Sequence, residues 1–210
     1  MIKPGGRRRI SRGAVALCAL LLAASALCAD APSLRVGAGV VTPPTGDWQQ
    51  ELTADGSAAR FTRAYKWLGQ PKGSTQIVVF AQSVAKEAGD DPASVAAQFF
   101  EQEERIMREQ GVAAGDYKLS KVVRGTRTVD GRQVFTLTYH KDLAVMRFGR
   151  QIEEARLSLW FPDGFATTRE CYGFLISEMR QKGAMVDKAD LGLIDPVIAN
   201  FRVELTDEAR

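Results

Sequence analysis

The feature that most restricts the fold of this chain is an Asp-Gly pair between two strand-like segments. Asp130 and Gly131 separate residues 122–129 from residues 132–139, and both segments are rich in β-branched and aromatic side chains. A two-residue Asp-Gly connection favours a type I′ turn, which joins two antiparallel neighbours. That turn also sets the register. The predicted pairs are Thr126 with Phe135, Arg124 with Leu137 and Val122 with Tyr139.

Arg124 is the one residue that does not suit the apolar face on which this register places it. Three interpretations are open. The guanidinium could be a cation held in a cleft for an acidic ligand. The apolar stem could instead lie along the sheet with its head in water, or a bulge at Gly125 could redirect the strand.

The rest of the chain also shows strand patterns with few helices. A helix is predicted after Asp91-Pro92, because Asp91 can cap free amides and proline is tolerated in the first turn, and Gly111 is its expected stop. A short terminal helix is predicted at Asp195-Pro196 for the same reason. Strands are predicted at residues 34–41, 60–67, 76–81, 151–161 and 165–176. This order predicts an α+β fold: an antiparallel sheet of consecutive hairpins packed by helices.

The first residues have the layout of a secretory signal peptide. Five basic and no acidic residues precede an apolar run at residues 14–24, which ends in the small residues Ala24-Ser25-Ala26. We therefore expect export to the periplasm or the exterior, with residues 1–26 as signal peptide and residues 30–210 as a single globular domain. The apolar run is short for an uncleaved membrane anchor, and we expect no transmembrane segment after cleavage.

The point of cleavage decides which cysteines remain. A cut between Ala26 and Leu27 keeps Cys28, whereas a cut after Ala29 removes it. If Cys28 remains, a disulfide with Cys171 is chemically allowed in an oxidising compartment. The alternative is that Cys171 is simply a small buried hydrophobic residue.

Removal of the leader also changes the charge of the protein. The full chain has 28 basic and 25 acidic side chains, and five of the basic ones precede Ala29, which leaves 23 against 25. The resulting net charge of about −2 belongs to the folded part. A general role in binding nucleic acid therefore has no compositional support.

No recognisable catalytic, cofactor or metal motif occurs in the sequence. His140 is the single histidine, and it could act with Cys171 or with a serine and Asp142 only if the fold brought them together. Neighbouring acids such as Glu153 and Glu154 point to opposite faces of a strand. We therefore expect no catalytic residue, no cofactor and no metal site.

The order of elements resembles that of the PsbP-like and DcrB-like envelope proteins. The resemblance is carried by the Pro-Pro-Thr-Gly-Asp-Trp entry at residues 43–48, the helix after Asp91, the successive hairpins and the closing segment at residues 196–203. It implies an α/β/α sandwich around an antiparallel sheet in an extracytoplasmic, usually non-catalytic protein. The long loop at residues 183–193 departs from the family pattern.

Three functions are consistent with these observations. The first is a non-catalytic envelope protein that acts as an accessory or interaction module with another envelope protein. The second is a carrier of a small apolar or amphipathic ligand between sheet and helix, near Trp67, Trp160 and Tyr172, with Arg124 as a further cleft residue. The third is a hydrolase that uses Cys171 or His140.

Overall fold

The computed structural model describes residues 32–67, 70–113, 115–145, 149–181 and 190–204. The strands are β1 Leu34–Val36, β2 Gly39–Val41, β3 Gln49–Leu52, β4 Ala58–Trp67, β5 Gln70–Ser83, β6 Tyr117–Val129, β7 Arg132–Val145, β8 Gly149–Trp160, β9 Glu170–Gln181 and β10 Arg202–Val203. The helices are α1 Pro92–Ile106, α2 Phe165–Thr168 and α3 Asp195–Asn200. Within these ranges, every helix is too short or too polar to cross a membrane.

Seven strands form one antiparallel sheet in the order β3-β4-β5-β9-β8-β7-β6, and β1, β2 and β10 form a second, small sheet. The α+β fold is therefore confirmed. Strand β5 lies inside the large sheet, where Ile77 and Val79 are fully buried and Val78 is nearly so. This matches the unbroken apolar run of its sequence, which is typical of a strand covered on both faces.

The hairpin around Asp130 and Gly131 has the predicted turn. Both residues have positive φ, 48° and 77°, as a type I′ turn requires. The pairs Thr126–Phe135 and Arg124–Leu137 form as predicted.

Farther from the turn, Val122 packs on the same apolar face as Tyr139, as predicted, but the two do not form a regular pair. Strand β6 has a bulge there: Val123 pairs with Thr138 and Ser120 pairs with His140, so Lys121 and Val122 lie opposite the single residue Tyr139, which is one extra residue on β6. Within the bulge Lys121 has a φ of 52°, a left-handed conformation that shifts the register of the strand.

The large sheet is covered on both faces. On one face, here called the helix face, Leu137, Leu157 and Leu159 pack against α1. On the other, here called the opposite face, apolar residues of the central strands pack under the small sheet and α3. Phe201, which follows α3, is fully buried in this second core.

Three local predictions need correction. Residues 34–41 form a hairpin rather than one strand, because Gly37 has a φ of 58° and turns the chain. Residues 165–168 form the helical turn α2, which ends at Arg169 in a left-handed conformation, before β9 begins. Asp195 is the first residue of α3 rather than its cap.

The predicted helix after Asp91 is confirmed, and the Asp91 carboxylate accepts a hydrogen bond from the Ser94 amide at 2.9 Å. The α-helix ends at Ile106 and continues as a π-helical turn to Val112. Gly111 lies inside this turn against the ring of Tyr117, where an added Cβ would stand 2.0 Å from the ring carbon Cζ.

Candidate functional site

The opposite face of the large sheet is apolar at one end and polar at the other. Side chains on successive residues of a strand alternate between faces, so β8 presents Trp160, Ser158, Arg156 and Glu154 in turn on the opposite face. Trp160 packs against the apolar core, whereas Arg156 and Glu154 line a cleft. The change from apolar to charged side chains marks where the cover by α3 ends.

We call this depression the polar cleft. Its volume is about 370 Å³, within the ~300–1,000 Å³ typical of small-molecule sites. The sheet contributes the cleft residues Lys121, Thr138, His140, Glu154 and Arg156, and the segment before α3 contributes Asp190, Leu191 and Gly192.

Glu154 lies at the floor of the polar cleft and is held by its neighbours. Its Oε2 accepts a hydrogen bond from Nη2 of the buried Arg180, and its Oε1 lies 3.5 Å from Nδ1 of His140. The carboxylate charge is therefore offset within the protein.

Glu178, on the neighbouring strand, is the second acid of the polar end. It accepts hydrogen bonds from Thr75 Oγ1 at 3.4 Å and from the Asp190 amide at 3.3 Å. Burial raises the pKa of this carboxyl. The bond to Asp190 links the sheet to the segment that walls the cleft.

The wall of the polar cleft is a 3₁₀ turn, Leu191–Ile194. Asp190 caps it, because its Oδ1 accepts a hydrogen bond from the Gly192 amide at 3.0 Å. Arg156 donates a hydrogen bond from Nη1 to the Leu191 carbonyl at 3.3 Å. The turn continues into α3, where Asp195 forms a two-point ion pair with Arg127 at 3.0 and 2.5 Å.

A second polar cluster lies on the helix face and is filled by its own side chains. Lys141 Nζ lies 4.9 and 4.8 Å from the ring centroids of Tyr117 and Tyr139, and 3.4 Å from Glu153 Oε2. Ser177 also donates a hydrogen bond to Glu153 at 2.7 Å. These largely buried charges satisfy one another, which is typical of a structural role. Glu153 and Glu154 do point to opposite faces, as the sequence predicts.

The sequence-predicted ligand residues occupy separate places. Trp160 and Tyr172 lie side by side on the opposite face with ring centroids 6.0 Å apart, and Phe201 packs against both. Arg124 lies on β6, where Nη2 donates a hydrogen bond to Glu104 of α1 at 3.1 Å. The side chain of Trp67 lies outside the described residues.

The residues considered for catalysis are far apart. Cys171 is buried on the helix face beside Val95 and Phe165, whereas His140 lines the polar cleft on the opposite face. His140 pairs with Glu154, which in turn pairs with Glu178 on β9. Glu178 and Cys171 are seven residues apart on β9, so roughly 23 Å of strand separates Cys171 from the level of His140. Burial also raises the pKa of the Cys171 thiol to about 12, which disfavours the reactive thiolate.

Other sequence predictions fall outside the described residues, namely Ala26, Leu27 and Cys28. Among the residues that are described, the side chains of His, Cys, Asp and Glu nowhere form a group of three or more that could hold a metal ion.

None of the polar-cleft residues was among the ligand residues predicted from sequence, and Lys121 and Arg156 are the two cations missed in this way. The signal for Arg156 was its outward position on a strand whose other face is apolar. Lys121 had no such signal, because the bulge that places it in the cleft depends on the pairing of β6 with β7.

Comparison with known proteins gives similarities of fold only. No protein-family model matches the chain, and no curated protein sequence matches it. The solution structure of cyanobacterial PsbP (CyanoP) from Synechocystis sp. PCC 6803 is similar with 13% identity and a TM-score of 0.40, over 76% of this chain and 95% of that one. PA94 from Pseudomonas aeruginosa, a protein of unknown function, is similar with 15% identity and a TM-score of 0.37, over 83% of this chain and 98% of that one.

Proposed function

We propose that this protein is an exported, non-catalytic accessory protein that works by binding a component of the cell envelope at the polar cleft. The observation that carries the proposal is the cleft itself, where strands β6, β7 and β8 and the turn before α3 bring charged side chains to one concave surface. Ligand sites in proteins are usually concave, and their polar groups fix the orientation of the ligand.

The arrangement of reactive groups supports binding rather than catalysis. Among the described residues, the histidine of the cleft has no serine or cysteine nucleophile hydrogen-bonded to it, and its nearest carboxylate, Glu154, is already held by Arg180. A nucleophilic mechanism needs a nucleophile and a base within hydrogen-bonding distance. Cys171 does not meet that requirement, since it is buried on the other face of the sheet.

The proposal of export rests on the amino-terminal residues. A basic leader, an apolar run and small residues at Ala24 and Ala26 form the pattern that the secretion machinery cleaves. The body that remains is weakly acidic, with 23 basic and 25 acidic side chains.

An apolar ligand beside Trp160 and Tyr172 is less favoured. Tyr172 and Phe201 are fully buried against each other, with ring centroids 4.7 Å apart. A ligand at that place would first have to displace Phe201 from the core.

The experiment is native mass spectrometry of the protein purified gently from the envelope fraction. We expect a polypeptide shortened by 26 to 29 residues that carries a bound mass. The variant that combines Lys121→Met and Arg156→Met should lose that mass, while the control Lys86→Met, on an exposed turn before α1, should keep it. A full-length chain, or a wild-type protein with no bound mass, would contradict the proposal.

A further inference from the structure

We infer that the polar cleft binds an anionic group, a carboxylate or a phosphate, between the ammonium group of Lys121 and the guanidinium group of Arg156. This inference rests on the proposed function, because it names the chemistry of the group that occupies the cleft. Both cations line the same cleft but come from strands β6 and β8, on either side of β7.

Lys121 reaches the cleft because of the bulge in β6. Its φ of 52° is uncommon for a residue other than glycine, asparagine or aspartate. Bulges are frequent next to binding sites, where they redirect one side chain. Here the bulge interrupts an otherwise regular strand pairing and places Lys121 in the lining of the polar cleft.

Arg156 is a half-buried cation with most of its hydrogen-bonding capacity unused. Among the described residues, its one hydrogen bond is to the Leu191 carbonyl, and no carboxylate lies within 4.0 Å. A guanidinium carries five N–H donors in a planar fork that fits the two oxygens of a carboxylate or phosphate. Burial and the neighbouring Arg127 lower the pKa of Arg156, the charges of Asp195 and Asp190 partly counter this, and an anion in the cleft would counter it further.

Lys121 also has no acidic partner among the described residues. Within the part of the chain that the structure describes, it forms no ion pair and no side-chain hydrogen bond, although Lys141 on the next strand is paired with Glu153. An ammonium group on a flexible stem can approach a phosphate or carboxylate as a point charge, while the arginine fixes its orientation.

The acids of the cleft leave this cationic pair available. Glu154 forms an ion pair with Arg180 and lies beside His140. Asp190 Oδ1 accepts a hydrogen bond from the Gly192 amide at 3.0 Å, and the charge of Asp190 partly offsets that of Arg156. Among the described residues, Lys121 and Arg156 are therefore the cleft cations that form no ion pair with an acid.

The test is isothermal titration calorimetry of the exported protein at low salt with inorganic phosphate and with succinate, using choline as a cationic control probe. We expect saturable binding of at least one anion and none of choline. Binding should weaken by about tenfold or more in Lys121→Met and in Arg156→Met, and less in Arg156→Lys, because one charge-assisted contact is lost in each Met variant. Lys86→Met should bind as the wild type does.

A further variant keeps the test decisive if Arg156→Met folds poorly. Thr138→Glu places a negative charge in the cleft and should also abolish anion binding. The relative affinities for phosphate and succinate identify which anion is preferred. Absence of binding by both anions, or equal affinity in the wild type and in both Met variants, would overturn the inference.

Failure of this inference is distinguishable from failure of the proposed function. If the envelope-purified protein carries a bound mass that the cleft variants lose, yet neither anion binds, the cleft is a binding site for another chemistry and the inference is wrong. If the bound mass persists in the cleft variants, the ligand binds elsewhere and the proposed function at the polar cleft is wrong.

Discussion

The packing of Phe201 against Gly39 provides a sharp test of the core on the opposite face. Gly39 lies in β2, in the small sheet, and Phe201 follows α3. A Cβ added at Gly39 would stand 2.1 Å from Cζ of the Phe201 ring, well inside the ~3.5–4.0 Å of normal carbon contact. Phe201 is fully buried among Trp160, Tyr172 and Phe174, so its ring has no room to move.

These contacts set the expected magnitudes. Gly39→Ala overpacks the site and should lower the free energy of unfolding by about 1–3 kcal/mol. Phe201→Ala removes a buried ring and should lower it by about 3–5 kcal/mol. In the double variant the new methyl group enters the space that the ring leaves, so the cost of Gly39→Ala should nearly vanish. The coupling energy should therefore be about 1–3 kcal/mol.

The assay is urea unfolding followed by tryptophan fluorescence, because Trp160 lies beside Phe201. Gly56→Ala is a poor control since Gly56 has a φ of 67°, whereas Gly125→Ala is suitable because a Cβ there would have its nearest neighbour at 3.5 Å. Gly125→Ala combined with Phe201→Ala should be additive. Additive effects at Gly39 and Phe201 would refute the proposed packing of the C-terminal segment on the sheet.

Three further predictions concern single side chains. Glu103→Gln should stabilise the protein more at pH 8 than at pH 4 in urea unfolding, because burial raises the folded-state pKa of Glu103. The cost of burying the charged carboxylate is absent below the unfolded-state pKa and complete above the folded-state pKa, so the variant removes it only at the higher pH. Equal gains at both pH values would contradict this. In a Cys28→Ser background, Cys171 should react with iodoacetamide at pH 8 many times more slowly in the native protein than in urea. The reason is that Cys171 is buried and that burial raises the pKa of its thiol to about 12. Similar rates in the two conditions would show an accessible thiol. Gly111→Ala should lower stability by about 1–3 kcal/mol, since its Cβ would collide with the ring of Tyr117, and unchanged urea unfolding would argue against the π-helical turn.

Local rules were enough to predict much of the sheet. The Asp130-Gly131 turn specifies its own conformation through two positive φ angles, so the nearest pairs in that hairpin were correct. The apolar run in β5 and the Asp91-Pro92 helix start also depend on neighbouring residues alone. One of the two neighbours of β5 in the sheet is β9, about one hundred residues away, and no local pattern specifies that pairing.

The polar cleft could not be predicted, because it depends on contacts between distant segments. Alternation along β8 alone predicts one buried face and one solvent-exposed face, and it would place Trp160 on the exposed face. Trp160 instead packs in a second core, because α3 and the small sheet cover that end of the opposite face. Where the cover stops, the same alternation exposes Arg156 and Glu154 to the cleft.

The most direct test of the account is photo-crosslinking in intact cells. One photoreactive amino acid replaces Ser120, an exposed position next to Lys121 on β6 that pairs with the cleft residue His140. The control replaces Arg105, exposed on α1, which packs on the helix face. We expect a specific crosslinked product from position 120 that disappears when Arg156→Met is added, and no such product from position 105. No product from position 120, or the same product from both positions, would contradict the claim that this protein works by binding at the cleft.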